Sequence, residues 1–413
     1  MTTTQRTTGA ETEHVIPLDT ALPEILAGEL AKRVYFVAEE ILDFRLVRAH
    51  GEVVAVAVTT AGPEAPAGLA GKFQFVLHND VLPQLHQEPR VLWRSPARRP
   101  YPPGTFDRLV AAEAACPVGE GQVALGGPVL DLMDDLDGAV RRVVVDEFHG
   151  TEFRYPTLIP VGALDRSGYL TSFPQFAMFA TRLRADVDTY RGFVEGARNT
   201  TDIGGEILGR CDGVDYCLPP TMCYHTFHQY AGRRLPPEVT VVTARGKSFR
   251  HEARYHRTLA RLWDFTIREI VFFGTRDAVL AAREQFLGRA LRLVEALRLS
   301  GRCEVAGDPF FCNDDSGVRV SSQRLLELKY ELQLDLDDGD SAAVASFNFH
   351  ERFFGEAFGI TLADGSTPFT ACVGFGLERL AFAMLCQHGT DIAGWPAGVR
   401  AALAGGAHPR RTS

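Results

Sequence analysis

Apolar and polar positions alternate in short runs along much of this chain, and helical periods interrupt them at a few places. Residues 53–59 and 73–77 are apolar runs of strand length, with helix predicted over 25–34. Residues 130–148 have the spacing of an amphipathic helix, and a proline-containing extended segment follows over 152–160. A long helix rich in Ala, Leu and Arg is predicted over 275–299. Strands are predicted over 329–334 and 342–349, on either side of an acidic turn over 335–340. Alternation puts Ser346, Asn348 and His350 on one face of the second of these strands.

Two stretches stand out. Residues 249–274 have the pattern strand, loop, strand, with Arg250 and Glu252 on the same side of the first arm. The loop carries Arg254, His256, Arg257 and Arg261, and 265–273 makes the second arm. Such a basic-tipped hairpin is suited to a polyanion, and equally to a plain ribbon with a solvated charged face. In the second stretch, over 371–385, a short apolar strand leads through Gly374 and Gly376 into an apolar helix with Arg379 in its first turn. Glycines let backbone approach a ligand, and a helix N-terminus favours anions, but close strand–helix packing accounts for the glycines as well.

Composition narrows the setting. The chain has 413 residues, enough for two domains, with 46% hydrophobic and 23% charged residues as in ordinary globular proteins. A polar tail over 1–14 is expected to be disordered. A small α+β accessory domain is expected over 15–104, closed by a proline-rich linker, and the main domain over 105–413. The net charge of −9 argues against nucleic-acid binding by the surface as a whole, and no segment is strongly basic. No apolar run approaches a membrane span and the N-terminus is unlike a signal peptide, which predicts a cytoplasmic protein. There the eight cysteines are expected to be reduced, mostly buried, with a minority as metal ligands.

The pattern Arg250-x-Glu252, a loop, then Arg261-x-x-x-Phe265-x-x-x-Glu269 resembles motif 2 of the class II aminoacyl-tRNA synthetases. Gly374-x-Gly376-x-x-Arg379 resembles motif 3, in the right order and at the right separation. The segment 152–160 after its helix resembles motif 1, which forms the dimer interface in that class. Within the class the resemblance is to the atypical seryl-type branch, especially the amino acid:[carrier protein] ligases related to it. It implies an α+β fold, an antiparallel sheet flanked by helices, and a homodimer. Seryl enzymes usually carry an N-terminal coiled coil that grips tRNA, and this chain has no sustained heptads there. That departure favours a carrier protein over tRNA as acceptor; an atypical seryl-tRNA synthetase and a noncatalytic amino-acid-binding paralogue are the alternatives.

The resemblance also implies roles. Arg250 would clamp the α-phosphate of ATP and the substrate carboxylate, a task suited to guanidinium. Phe265 would stack on adenine, with Arg379 over its other face or on the γ-phosphate. Arg261, with Arg257 or His256, would hold the β- and γ-phosphates, and Glu331 would hold Mg²⁺. Taken singly, Phe265 is as easily a core aromatic and Arg257 a solvated loop residue. Gly374 and Gly376 would line the nucleotide site, and Thr221, Ser346 and Asn348 the amino-acid site. Cys223, Glu252 and Cys372 match the Cys/Glu/Cys set with which such ligases hold Zn²⁺, leaving a fourth position for the substrate amine. Cys211 and Cys217 are alternatives to Cys223, while Cys116, Cys303, Cys312 and Cys386 are assigned to packing. The helix over 275–299 lies near the place where the ligases carry an inserted helix that helps bind the carrier.

Overall fold

The computed structural model describes residues 11–84, 90–97, 102–252, 258–307, 327–337 and 339–404. The chain opens with a three-stranded antiparallel sheet of order β1-β3-β2: β1 (Glu11–Pro23), β2 (Ile41–Ala49) and β3 (Glu52–Ala61). Helices α1 (Ala27–Ala31) and α2 (Leu69–Val76) cover it. β1 begins inside the stretch predicted to be a disordered tail. The run over 73–77 is helical, not a strand: Leu69, Phe73, Val76 and Leu77 are buried at helical spacing, which a five-residue window is too short to display. This unit has its own apolar core, from Ile16 to Val81.

β4 (Val91–Arg94) leaves the accessory unit and pairs with the far edge of a second, larger sheet. The boundary therefore falls earlier in the chain than the linker over 95–104 suggested. Next come α3 (Thr105–Ala111), the hairpin β5 (Ala115–Gly119) and β6 (Gln122–Leu125), α4 (Pro128–Arg142) and β7 (Thr151–Phe153). A small sheet of order β8-β10-β9 follows, from β8 (Ile159–Pro160), β9 (Met178–Leu183) and β10 (Cys211–Leu218). It carries α5 (Val161–Arg166), α6 (Tyr169–Ser172), α7 (Val187–Asn199) and α8 (Ile203–Arg210) in its connections.

The rest builds the large sheet. α9 (Cys223–Gln229) precedes β11 (Thr240–Phe249), β12 (Asp264–Gly274) and α10 (Arg276–Ala296). β13 (Gly301–Val305), β14 (Lys329–Asp335), β15 (Ser341–Phe349), α11 (Phe353–Phe358), β16 (Phe369–Gly376), α12 (Leu377–His388) and α13 (Ala397–Ala404) complete it. Eight strands run in the order β4-β13-β14-β15-β16-β12-β11-β7, antiparallel except for β7 against β11. This is the predicted α+β architecture of an antiparallel sheet flanked by helices.

β12 and β16 lie in the middle of the sheet and are almost wholly buried, as strands covered on both faces are. Alternate residues of β12 enter different cores. Ile270 and Phe272 pack with α4, α10 and α12 on one face, and Val271 and Phe273 pack with α9 and α11 on the other. Two charged residues, Arg268 and Glu269, lie in the buried middle of β12. Arg268 points into the first face, where it meets Asp137 of α4 at 2.6 Å and Glu152 of β7 at 2.7 Å. Glu269 points into the second, and the site is built around it.

Candidate metal and nucleotide site

Strand register alone assembles one row of residues across the second face of the sheet. Glu304, Glu331, Ser346, Gly374, Glu269 and Ala244 stand opposite one another in successive pairs over β13, β14, β15, β16, β12 and β11. The next row holds Lys329, Asn348, Cys372, Val271 and Val242. The centre of the first row is floored by Gly374. A Cβ there would stand 2.9 Å from Ile267 Cδ1 and 3.3 Å from Glu269 Oε2, so only glycine keeps this floor open.

Over this floor three donors converge. Cys223, at the start of α9, Glu269 of β12 and Cys372 of β16 bring one ligand atom each within 4.8 Å of one another, and all three are buried. Gly246 lies under the residue before Cys223. A Cβ at Gly246 would meet Met222 Sδ at 2.8 Å, so the Met222 side chain would have to move aside. Thr221, two residues before α9, donates its hydroxyl to Glu269. Burial pushes the Glu269 carboxyl up to about 7, against the opposing pull of Thr221, Cys372 and the Arg250 charge. The Cys372 thiol is raised well above its ordinary value by its contact with Cys223 and then by burial, and burial raises Cys223. A carboxylate and two thiolates cannot stay charged together in a buried site without a cation. Two sulfur donors and one oxygen suit zinc, with a fourth tetrahedral position left over.

The metal set expected from sequence is corrected at one member. Cys223 and Cys372 come together, but Glu269 joins them rather than Glu252. Glu252 lies beyond the end of β11, is 4% exposed, and accepts from Arg261 Nη1 at 3.0 Å. Its carboxylate is therefore spent on a cation already in the chain. Glu269 was part of the quoted motif, and a usable signal was present: a lone acid in the run Ile267-Arg-Glu-Ile-Val-Phe-Phe273 must face something that repays its burial. The alternative thiols are placed elsewhere. Cys217 is buried with its Sγ 3.5 Å from the Ile159 carbonyl, and Cys211 begins β10. Among the described residues the cysteines are all free thiols.

Beside the three donors lies a group of arginines. Arg250 follows β11, anchored by its backbone N–H to the Trp263 carbonyl at 2.9 Å and by its Nε to the Pro220 carbonyl at 3.0 Å. Its guanidinium lies 5.5 Å from the ring centre of Phe265. Arg379, in the first turn of α12, donates to the Ala343 carbonyl at 3.2 Å. Burial and the like charges of Arg261 and Arg250 lower its guanidinium to about 10, while Glu252 and Glu331 partly restore it. Arg250, Arg261, Arg379, Glu252 and Glu331 thus share one electrostatic neighbourhood, and Arg250 also acts on Glu269 and Cys223. A buried guanidinium with two more beside it is suited to an anion.

Glu331 sits 3.0 Å from Lys329 Nζ and 2.8 Å from Gln333 Nε2, opposite Ser346. Asn348 donates to Ser346 Oγ at 3.2 Å and lies 3.5 Å from Cys372 Sγ, so Ser346, Asn348 and His350 share the face that alternation predicted. Gly376 ends β16, where an added Cβ would meet only the flexible Arg379 side chain at ordinary distance. Arg257 and His256, with Arg254 and Cys312, lie outside the described residues.

No family model matches the chain. Individual proteins do. Amino acid--[acyl-carrier-protein] ligase 1 of Bradyrhizobium diazoefficiens is 37% identical over 268 residues, which are 63% of this chain and 80% of that protein. Ligase 2 of the same organism is 36% identical over 249 residues, 60% of this chain and 72% of its own length. The type-2 serine--tRNA ligase of Methanococcus aeolicus is 28% identical over 67% of this chain and 55% of its own length. Among solved structures, M. kandleri SerRS in complex with A. aeolicus tRNASec matches 96% of this chain and 78% of its own, with a TM-score of 0.68 at 20% identity, a likeness of fold. With a class II synthetase-type sheet under its site, and with 37% identity over an aligned stretch that is four-fifths of a ligase, the chain belongs to the family of the amino acid--[acyl-carrier-protein] ligases.

Proposed function

We propose that this protein is an ATP-dependent ligase that activates a small amino acid as its adenylate and transfers it to the phosphopantetheine thiol of a carrier protein. One observation carries the reading beyond family membership. Arg250 serves two neighbourhoods at once, the Cys223–Glu269–Cys372 cluster and the arginine group with Arg261 and Arg379. A site for an amine and a site for anions therefore adjoin, one α-amino acid apart in function.

In the first step a carboxylate oxygen of the amino acid attacks the α-phosphorus, and the bond to pyrophosphate breaks. Two anions must meet, so the work of the protein is charge neutralisation and orientation. Arg250 bridges the carboxylate and the α-phosphate. Phe265 receives the adenine ring, and Arg379 stacks on it or holds the γ-phosphate. Arg261, with Arg257, holds the outer phosphates. Glu331, with Ser346 opposite, supplies the oxygen donors that Mg²⁺ prefers. Thr221, Ser346 and Asn348 border the amino acid, over the floor at Gly374. Cys223, Glu269 and Cys372 would hold zinc, which when bound favours the uncharged amine and so selects amino acids over plain carboxylic acids. In the second step the carrier thiol attacks the mixed anhydride and AMP leaves.

The acceptor is argued from charge. Residues 11–84 of the accessory unit hold five basic and eleven acidic side chains, a poor surface for a polyanionic tRNA. The rival reading, a tRNA ligase, is favoured by the match of M. kandleri SerRS over almost the whole chain. We place the protein in the cytoplasm, where ATP is available and thiols stay reduced. We also propose a homodimer. The small sheet that contains part of the segment resembling motif 1 bears exposed Leu158, Phe179, Tyr190, Ile207, Leu208 and Tyr216, more apolar surface in one region than a monomer usually leaves open.

Exchange of labelled pyrophosphate into ATP, run over a panel of amino acids with metal analysis of the same sample, tests the first step. We expect exchange with one or a few small amino acids and about one zinc per chain, by the open-site logic. Loading of a phosphopantetheinylated carrier against total tRNA tests the second; charging of tRNA alone would overturn the acceptor assignment.

A further inference from the structure

His350 follows the last residue of β15 and is used by none of the roles above. Its backbone N–H donates to the Thr370 carbonyl at 2.9 Å, which fixes the start of its side chain on β16. Its Nδ1 lies 3.3 Å from Thr370 Oγ1 and its Nε2 lies 3.5 Å from Cys372 Sγ. The edges of Phe354 and Phe227 meet the ring at 4.7 and 6.0 Å between centres, nearly perpendicular, which leaves the imidazole little freedom to turn. Two residues earlier, in β15, Asn348 Nδ2 reaches the same sulfur at 3.5 Å. His350 Nε2 and Asn348 Nδ2 therefore converge on one of the three donors, Cys372. Neither comes from the backbone, so the sequence has spent two side chains on this sulfur.

We propose that His350 is a positioning residue for the metal site, acting through Cys372. This rests on the assignment of Cys223, Glu269 and Cys372 as zinc ligands. Thr370 donates its hydroxyl to Nδ1, which puts the ring proton on Nε2. That proton is then donated to the Cys372 thiolate, beside the one from Asn348. Two thiolates and a carboxylate exceed the charge of a divalent ion by one. N–H···S bonds draw density from the sulfur, stabilise the thiolate and orient its lone pairs. A zinc ion held by these residues would then stay electron-poor enough to favour a neutral amine. Asn348 serves the same end, and this gives it a second role beside bordering the substrate.

The test uses the full chain loaded with Co²⁺, which reports sulfur ligation by its near-ultraviolet charge-transfer band, and Zn²⁺ titrated against a chromophoric chelator. His350→Phe keeps the ring packing and removes the donor. We expect its cobalt band to move to lower energy, because the thiolate is richer in electrons, and its zinc affinity to fall roughly ten- to a hundredfold. His350→Gln, which restores an N–H near Nε2, should recover most of both. An unchanged band and affinity in His350→Phe would overturn the proposal. So would a loss that His350→Gln does not relieve, since packing would then explain it. If His350→Phe fails to fold, Thr370→Val decides: it should shift the band in the same direction, and no shift counts against the assignment. A wild-type protein without any sulfur-to-cobalt band would remove the zinc reading itself, and this proposal with it.

Discussion

Glu269 and Glu252 are seventeen positions apart in one motif, and both are buried, yet their surroundings assign them opposite work. Arg261 neutralises Glu252. Glu269 has a hydroxyl and two thiols near it, and its carboxyl is held near 7. Glu269→Gln should therefore lower zinc affinity more than about a hundredfold, beyond what outer-shell changes cost, and abolish exchange with it. Glu252→Gln should keep its zinc and lose phosphate binding. Metal analysis and exchange on the two variants separate these outcomes; equal zinc in both would sink the assignment of Glu269. The sign of the pH dependence follows from the raised groups. With Glu269 near 7 and both thiols above their ordinary value, the metal-free site is largely protonated below neutrality, and a cation must displace those protons. Zinc affinity should thus rise with pH between about 6 and 8. Calorimetry in buffers of different ionisation enthalpy would read the released protons directly.

At the scale of elements, β12 does two jobs because its side chains alternate. Arg268 ties the strand to α4 and β7 through Asp137 and Glu152, while Glu269 on the other face reaches the site. The acids lower neither strand nor helix propensity enough to matter, because each is repaid by a partner across the layer. β16 contributes differently, through what it lacks. Gly374→Ala should cost about 1–3 kcal/mol from overpacking against Ile267 and Glu269. It should also raise the KM for the amino acid in the exchange assay more than it changes the KM for ATP. A stable variant with unaltered amino-acid KM would mean that the floor is not part of the substrate site. The sequence was partly legible at this scale. The long helix, the Gly374–Arg379 turn and the strands over 329–334 and 342–349 are where pattern put them. The run over 73–77 was not, because five apolar residues fit either period.

For the whole molecule, the accessory unit meets the site side where Phe36 packs against Phe176 at 5.8 Å, and the Phe176 carbonyl accepts from the His251 N–H at 3.2 Å. The unit thus touches the residue next to Arg250 at one remove. No helix among the described residues is long and apolar enough to cross a membrane. The apolar surface near the small sheet is the place where a second copy is expected, with Leu208 as much as 73% exposed. Ile207→Glu combined with Leu208→Glu should convert a dimer to a monomer by light scattering; a mass unchanged at that of a dimer would put the interface elsewhere.

Local sequence by itself determined the class of fold, the order of the motifs, and the residue types on which the proposed chemistry rests: arginines for phosphates, thiols for a metal, glycines where backbone must stay bare. It could not choose between two buried acids of one motif. That choice depends on strand register, since Glu269 meets Gly374 and lies a row from Cys372 only because β12, β16 and β15 pair as they do. Cys223, Glu269 and Cys372 are remote along the chain, and spacing carries no information about groups that only sheet pairing brings together. The tertiary structure settled their company through close packing, in which one glycine admits Met222 and another keeps the floor clear.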